Sequence, residues 1–106
     1  MIFGQESETR EFKRSTGETK DAMHDISAIL NKSGSGELYF GIRNDGEVIG
    51  QQVSTKTLRN LSQAIGNHVN PRIYPTVEKV SLFGKDCISV LFEGSEPPYS
   101  SHGRYY

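Results

Sequence analysis

The sequence predicts an α+β domain, a mixed sheet of about five to six strands with two helices packed against it. Three observations carry that expectation. Residues 19–32 and 55–69 place apolar side chains at helical spacing. Residues 10–13, 37–42, 76–83 and 86–93 alternate apolar and polar side chains as strands do. The 106 residues, 34% hydrophobic and 24% charged, are enough for one modest core and so for a single domain over residues 1–106.

The elements follow in order. In the first strand, Arg10 to Lys13, Phe12 points one way and Glu11 and Lys13 the other. After the turn Ser15-Thr16-Gly17, Thr19 is the expected N-cap of a helix running to about Lys32. Ala22, Met23, Ile26, Ile29 and Leu30 form its buried face, and Ser33-Gly34-Ser35-Gly36 ends it. Glu37 to Ile42 is a strand with Leu38, Phe40 and Ile42 on one face. Asn44-Asp45-Gly46 tolerates positive φ and turns the chain, and Glu47 to Gly50 returns as a strand. Ser54 caps a second helix that carries Leu58, Leu61, Ala64 and Ile65 inward, and Asn70-Pro71 stops it. Thr76 to Phe83 and Asp86 to Glu93 pair around Phe83-Gly84-Lys85, with Ile88, Val90 and Phe92 on one face. Pro97-Pro98 leads to a last short strand. Its aromatic end at Tyr105-Tyr106 reads as a strand cut short, as in the N-terminal fragment of a longer protein.

With 12 Lys and Arg against 13 Asp and Glu, the net charge is −1. A surface that coats nucleic acid all round is excluded, so any such contact is a local patch. No apolar run reaches the length of a membrane span, and no secretory signal opens the chain. Cys87 has no second cysteine to pair with, and a reducing, cytoplasmic setting is the expectation.

Each chemical constellation has a plain counterpart. Gly34-Ser35-Gly36 with Gly41 superficially resembles a phosphate loop, but a helix precedes it and a strand follows, the reverse of a dinucleotide fingerprint. No Walker motif is present, so no ATP site is expected. His24, His68 and His102 are scattered, with no metal-ligand spacing, and are assigned surface or capping roles. Glu6, Glu8 and Glu11 are carboxylates close enough in sequence to hold a divalent cation, or simply a solvated strand. Arg10, Lys13, Arg14, Lys56, Arg59, Arg72 and Arg104 form a phosphate-tracking patch if the sheet edge gathers them. Tyr39, Tyr74, Tyr99, Tyr105 and Tyr106 are then available for base stacking.

Several motifs occur together in a recognisable order. Glu6-Ser7-Glu8-Thr9-Arg10-Glu11-Phe12-Lys13 resembles the opening E-x-x-x-x-E-F-K of the Schlafen AlbA-type DNA-binding domain. Ala28 to Gly36 resembles that family's helix end, and Leu38 to Gly50 its hydrophobic-G-V-x-x-D-G-x-I-x-G hairpin. Pro97-Pro98-Tyr99 and Gly103-Arg104-Tyr105-Tyr106 resemble its ending. The resemblance implies the N-terminal domain of a bacterial transcriptional regulator or helicase-like protein, binding nucleic acid, DNA first. An older label of the family, divergent ATPase, finds no support in these residues. In animal relatives a related domain cleaves RNA with three acidic residues. Two of them correspond to Glu6 and Glu11, while the third falls at Asn44, an amide, with Asp45 adjacent. The resemblance therefore implies a binding domain without cofactor or metal. The alternatives are a nuclease using Glu6 and Glu11 with Mg²⁺ or Mn²⁺, and a dimerisation module whose partner is a second copy.

Overall fold

A computed structural model describes residues 1–105; Tyr106, one of the expected stacking aromatics, lies outside the described residues. Strand β1 (Arg10–Lys13) and strand β2 (Ser35–Phe40) run parallel, which requires a crossover between them, and helix α1 (Thr19–Ser33) is that crossover. Helix α2 (Thr55–His68) follows. Next come β3 (Val69–Asn70), β4 (Thr76–Leu82), β5 (Lys85–Glu93), β6 (Ser100–Ser101) and β7 (Arg104–Tyr105). The central sheet has the order β1-β2-β5-β4, parallel between β1 and β2 and antiparallel elsewhere. A second, smaller antiparallel sheet has the order β3-β6-β7.

The α+β class holds, but the strands divide between two sheets, four in one and three in the other, instead of five or six in one. Glu47–Gly50 is not a strand. Single bridges, Ile42 to Val48 and Ile2 to Glu47, replace the expected ladder. The N-terminal segment closes over this turn: Phe3 N–H donates to the Gly46 carbonyl at 2.9 Å, and Val48 N–H to the Met1 carbonyl at 3.0 Å. The contact needs a glycine, because a Cβ on Gly46 would stand 2.1 Å from the Gly4 carbonyl oxygen, and its φ is +91°.

Helix boundaries shift for local reasons. Ser15, not Thr19, is the capping residue. Its hydroxyl accepts from Gly17 N–H and starts a 3₁₀ turn (Thr16–Glu18) that runs straight into α1. Gly34 ends α1 at φ +81°, its N–H donating to Ile29 and Leu30. Ser54 and Thr57 cap α2 reciprocally.

Both faces of the central sheet are buried in part. Leu38, Phe40, Ile88, Val90 and Phe92 meet α1 and α2 through Met23, Ile26, Leu30, Leu61 and Ile65. Phe12, Ile42, Val48 and Cys87 form a second cluster on the opposite face, with Phe3 and Tyr39 packed against it. Ile42 thus leaves the face it was expected to share with Leu38 and Phe40. Gly41 takes φ +101°, and this one left-handed residue resets the alternation. The segment after β5 is pinned by Asn31, whose amide donates to the Tyr99 carbonyl at 2.9 Å while its oxygen accepts the Tyr99 N–H. Tyr99 itself is buried, its hydroxyl accepting from Glu96 N–H.

Phe40→Ala is expected to cost about 3–5 kcal/mol, read as a lower denaturant midpoint, because a ring buried between sheet and helices leaves a cavity. Asn31→Leu is expected to free residues 94–105 selectively. Amide exchange at Tyr99 should accelerate far more than exchange at Val90, and uniform acceleration across the chain would show that Asn31 supports the whole core instead.

Candidate nucleic-acid interface

Alternation along β1 separates two charge systems. Arg10 and Phe12 lie on the face of the N-terminal segment. The Arg10 guanidinium sits 5.5 Å from the Phe3 ring centroid and is ion-paired to Glu37. Glu11 and Lys13 lie toward α1, where Lys13 Nζ is 2.6 Å from Asp25 Oδ2. Burial opposes the ammonium charge, but the hydrogen bond and charge of Asp25 outweigh it and hold the Lys13 pKa above its ordinary value. Two of the three basic residues expected to open a phosphate patch are therefore compensated inside the chain.

Glu6 and Glu11 do come together. Glu6 Oε2 accepts the Phe12 N–H at 3.0 Å. β1 is an edge strand and Phe12 is fully buried, so this carboxylate satisfies a backbone donor that has no strand beside it. Glu11 hydrogen-bonds Glu6. Burial first, then that bond and the nearby Asp25 and Glu6 charges, lift its pKa from 4.5 to about 8 despite Lys13. At neutral pH Glu11 keeps its proton. Glu8 stands apart, bonded to Lys32 on α1 at 3.1 Å. Asn44 and Asp45 line a different cavity, and Asp45 Oδ1 is engaged by Glu47 N–H at 3.0 Å.

This donor set does not fit a divalent cation. One Glu6 oxygen is committed to backbone, Asp25 is held by an ammonium, and the amide at the third position is elsewhere. Among the described residues, no three His, Cys, Asp or Glu side chains are grouped to hold a metal ion.

The uncompensated cations lie elsewhere. Arg14 immediately follows β1 and Arg43 lies three residues past β2, so the parallel pairing sets them side by side at the carboxyl ends of both strands. With Asn44 and Asp45 they line a cavity of about 270 Å³. Both are exposed, and neither enters an ion pair among the described residues. Lys56 and Arg59, also exposed and unpaired, lie on the first turns of α2. The start of that helix faces the start of α1 across a cavity lined by Thr16, Thr19, Thr57 and Asn60. Arg72 and Arg104 lie toward the other end of α2, about 20 Å along its axis. The sequence reading missed Arg43 and Asp25. A basic residue flanking the Asn-Asp-Gly turn was the available signal for the first; none marked the second.

The histidines are not scattered. His68 at the end of α2 stacks on His102 in the β6–β7 turn, with centroids 4.3 Å apart, and His24 of α1 meets His102 edge-on at 6.0 Å. His102 N–H donates to the His68 carbonyl at 3.0 Å. Burial, then His68, Lys20 and His24, push the His102 pKa below its ordinary value. No helix among the described residues is long and apolar enough to cross a membrane.

Glu11 and His102 give stability opposite pH slopes. The folded state holds the Glu11 proton more tightly than the unfolded chain, so its contribution is complete below about pH 4.5 and is lost as pH rises through about 8. His102 binds its proton less tightly when folded, so its contribution is present above pH 6.5 and is lost as pH falls below that. Urea midpoints should show Glu11→Gln gaining stability over the unmutated chain at pH 9 relative to pH 5. His102→Gln should gain on the acid side. A Glu11→Gln difference that does not change with pH would show that the carboxyl titrates normally.

The comparisons with known proteins agree with this architecture. The chain superposes on the DIP2311 protein from Corynebacterium diphtheriae with a TM-score of 0.72 at 16% identity, over 90% of this chain and 19% of that one.

 

The chain also resembles the N-terminal domain of an ATP-dependent DNA helicase RecG-related protein from Nitrosomonas europaea, with a TM-score of 0.67 at 23% identity, over 88% of this chain and 67% of that one. The chain thus spans about a fifth of the first of these proteins and two thirds of the second. At such identities the likeness shows the fold. The comparison with curated proteins finds no match. The family model described as Schlafen, AlbA_2 matches residues 6–106, nearly the whole chain, and the protein belongs to that family.

Proposed function

We propose that this domain binds nucleic acid, DNA first, through its phosphate backbone, and serves as the N-terminal domain of a bacterial transcriptional regulator or helicase-like protein in the cytoplasm. The observation that carries the reading is the Arg14–Arg43 pair. Two exposed guanidiniums, neither in an ion pair among the described residues, share one cavity with Asn44 and Asp45 at the carboxyl ends of parallel strands, the end at which open α/β sheets bind their ligands. A guanidinium presents a planar fork of donors that matches phosphate oxygens. Lys56 and Arg59 add two exposed cations on the first turns of α2. On a chain of net charge −1 such a patch binds locally and with moderate affinity. Membership of the family and the name of the RecG-related neighbour support the same reading.

The nuclease alternative draws on one observation, the contact of Glu6 with Glu11. The commitment of Glu6 to the Phe12 N–H and the proton on Glu11 favour a structural role for both.

Binding to a short DNA duplex should weaken with salt at a log–log slope of about −0.9 per phosphate contacted, with roughly two to four contacts. Arg14→Ala with Arg43→Ala should lower the magnitude of that slope by about two, whereas Arg10→Ala should leave it unchanged. A slope near zero for the unmutated chain sinks the proposal. Incubation with labelled RNA and single-stranded DNA in Mg²⁺ and Mn²⁺ tests the alternative. Cleavage that Glu11→Ala abolishes would establish it.

A further inference from the structure

The sequence offers five tyrosines for stacking, and the fold separates the four that are described. Tyr99 is buried in the core, and Tyr39 packs on Phe3 with centroids 4.9 Å apart. Tyr74 is different: it is 84% exposed, just before β4. The Arg72 guanidinium lies 5.6 Å from its ring centroid and enters no ion pair among the described residues. Tyr74 borders a cavity of about 200 Å³ with Ser35, Gly36, Thr76, Leu91 and Glu93, across the ends of β2, β5 and β4. Leu91 alternates with Val90 and Phe92, which face the helices, so it faces the other way, and it is 47% exposed.

We infer that Tyr74, backed by Arg72, is a stacking platform for one unpaired base of a single-stranded nucleic acid, seated in this cavity. The inference rests on the nucleic-acid reading above and adds the kind of strand and the contacting residue. The size fits: the cavity is smaller than the roughly 300 Å³ at which sites for drug-sized ligands begin, and suits one flat ring system. The chemistry fits as well. Tyr74 offers an aromatic face, Leu91 an apolar wall, and Ser35 and Glu93 hydrogen-bonding groups for a base edge. Arg72 places a positive charge beside the ring for the phosphate attached to that base. A base-paired duplex cannot present a face to Tyr74, because its bases are stacked on one another. The cavity lies at the start of β2 and the Arg14–Arg43 pair lies past its end, about 20 Å away, so a strand of several nucleotides can reach both.

The test is fluorescence-anisotropy titration of the whole chain with labelled oligothymidylate and with an abasic oligomer of equal length. Oligothymidylate should bind about tenfold more tightly. Tyr74→Ala should remove that difference without changing the salt slope, and Tyr74→Phe should keep it. Arg72→Ala should lower the magnitude of the slope by about one. If oligothymidylate and the abasic oligomer bind equally to the unmutated chain, or if Tyr74→Ala binds as the unmutated chain does, stacking at Tyr74 is overturned while the nucleic-acid reading stands. If no oligomer or duplex binds in a salt-dependent way, the nucleic-acid reading falls and the inference falls with it.

Discussion

The parallel pairing of β1 with β2 is the constraint from which the rest of the domain follows. A parallel pair cannot be closed by a tight turn, so α1 must cross between the strands and cover one face of the sheet. The same pairing aligns the carboxyl ends of the two strands and brings Arg14 beside Arg43. It also leaves β1 at the edge of the sheet with an outward Phe12 N–H, which Glu6 accepts. One topological requirement thus accounts for the helix, the free cations and the best-placed acid.

That requirement changes how the acidic motif is understood. Glu6 and Glu11 meet, yet each has a structural task. Glu6 completes the hydrogen bonding of an edge strand, and Glu11 donates its proton within a partly buried pair of carboxyls. Lys13 and Asp25 close the same corner with a half-buried ion pair. Removing either partner of that pair would leave a poorly solvated charge, which is why such pairs endure even where their net contribution to stability is small. The charges available to a ligand are those that the fold leaves over.

Much of this architecture was legible in the sequence. Helical periodicity and strand alternation located α1, α2, β1, β4 and β5 to within a few residues, and the side chains assigned inward on them are buried, except Leu58 and Ala64 of α2, which are partly so. Two features escaped for physical reasons. Two-residue strands such as β3, β6 and β7 are too short to show a period, so the second sheet was seen only as a terminal strand. Gly41 carries no pattern that announces a left-handed turn in mid-run, so Ile42 was assigned to the wrong face. The site was less legible than the fold. A list of basic residues does not tell a paired Arg10 or Lys13 from a free Arg14. The convergence of His24, His68 and His102 depends on contacts between elements far apart in the chain.

The shared proton of Glu6 and Glu11 has a calorimetric consequence. Near neutral pH the folded chain carries a proton on Glu11 that the unfolded chain, with an ordinary carboxyl, does not hold. Unfolding must therefore hand that proton to the solvent, and the heat measured includes the heat of the buffer accepting it. Scans in phosphate and in an amine buffer at the same pH would return different apparent enthalpies for one and the same unfolding reaction, with the amine buffer giving the smaller value because its protonation releases more heat.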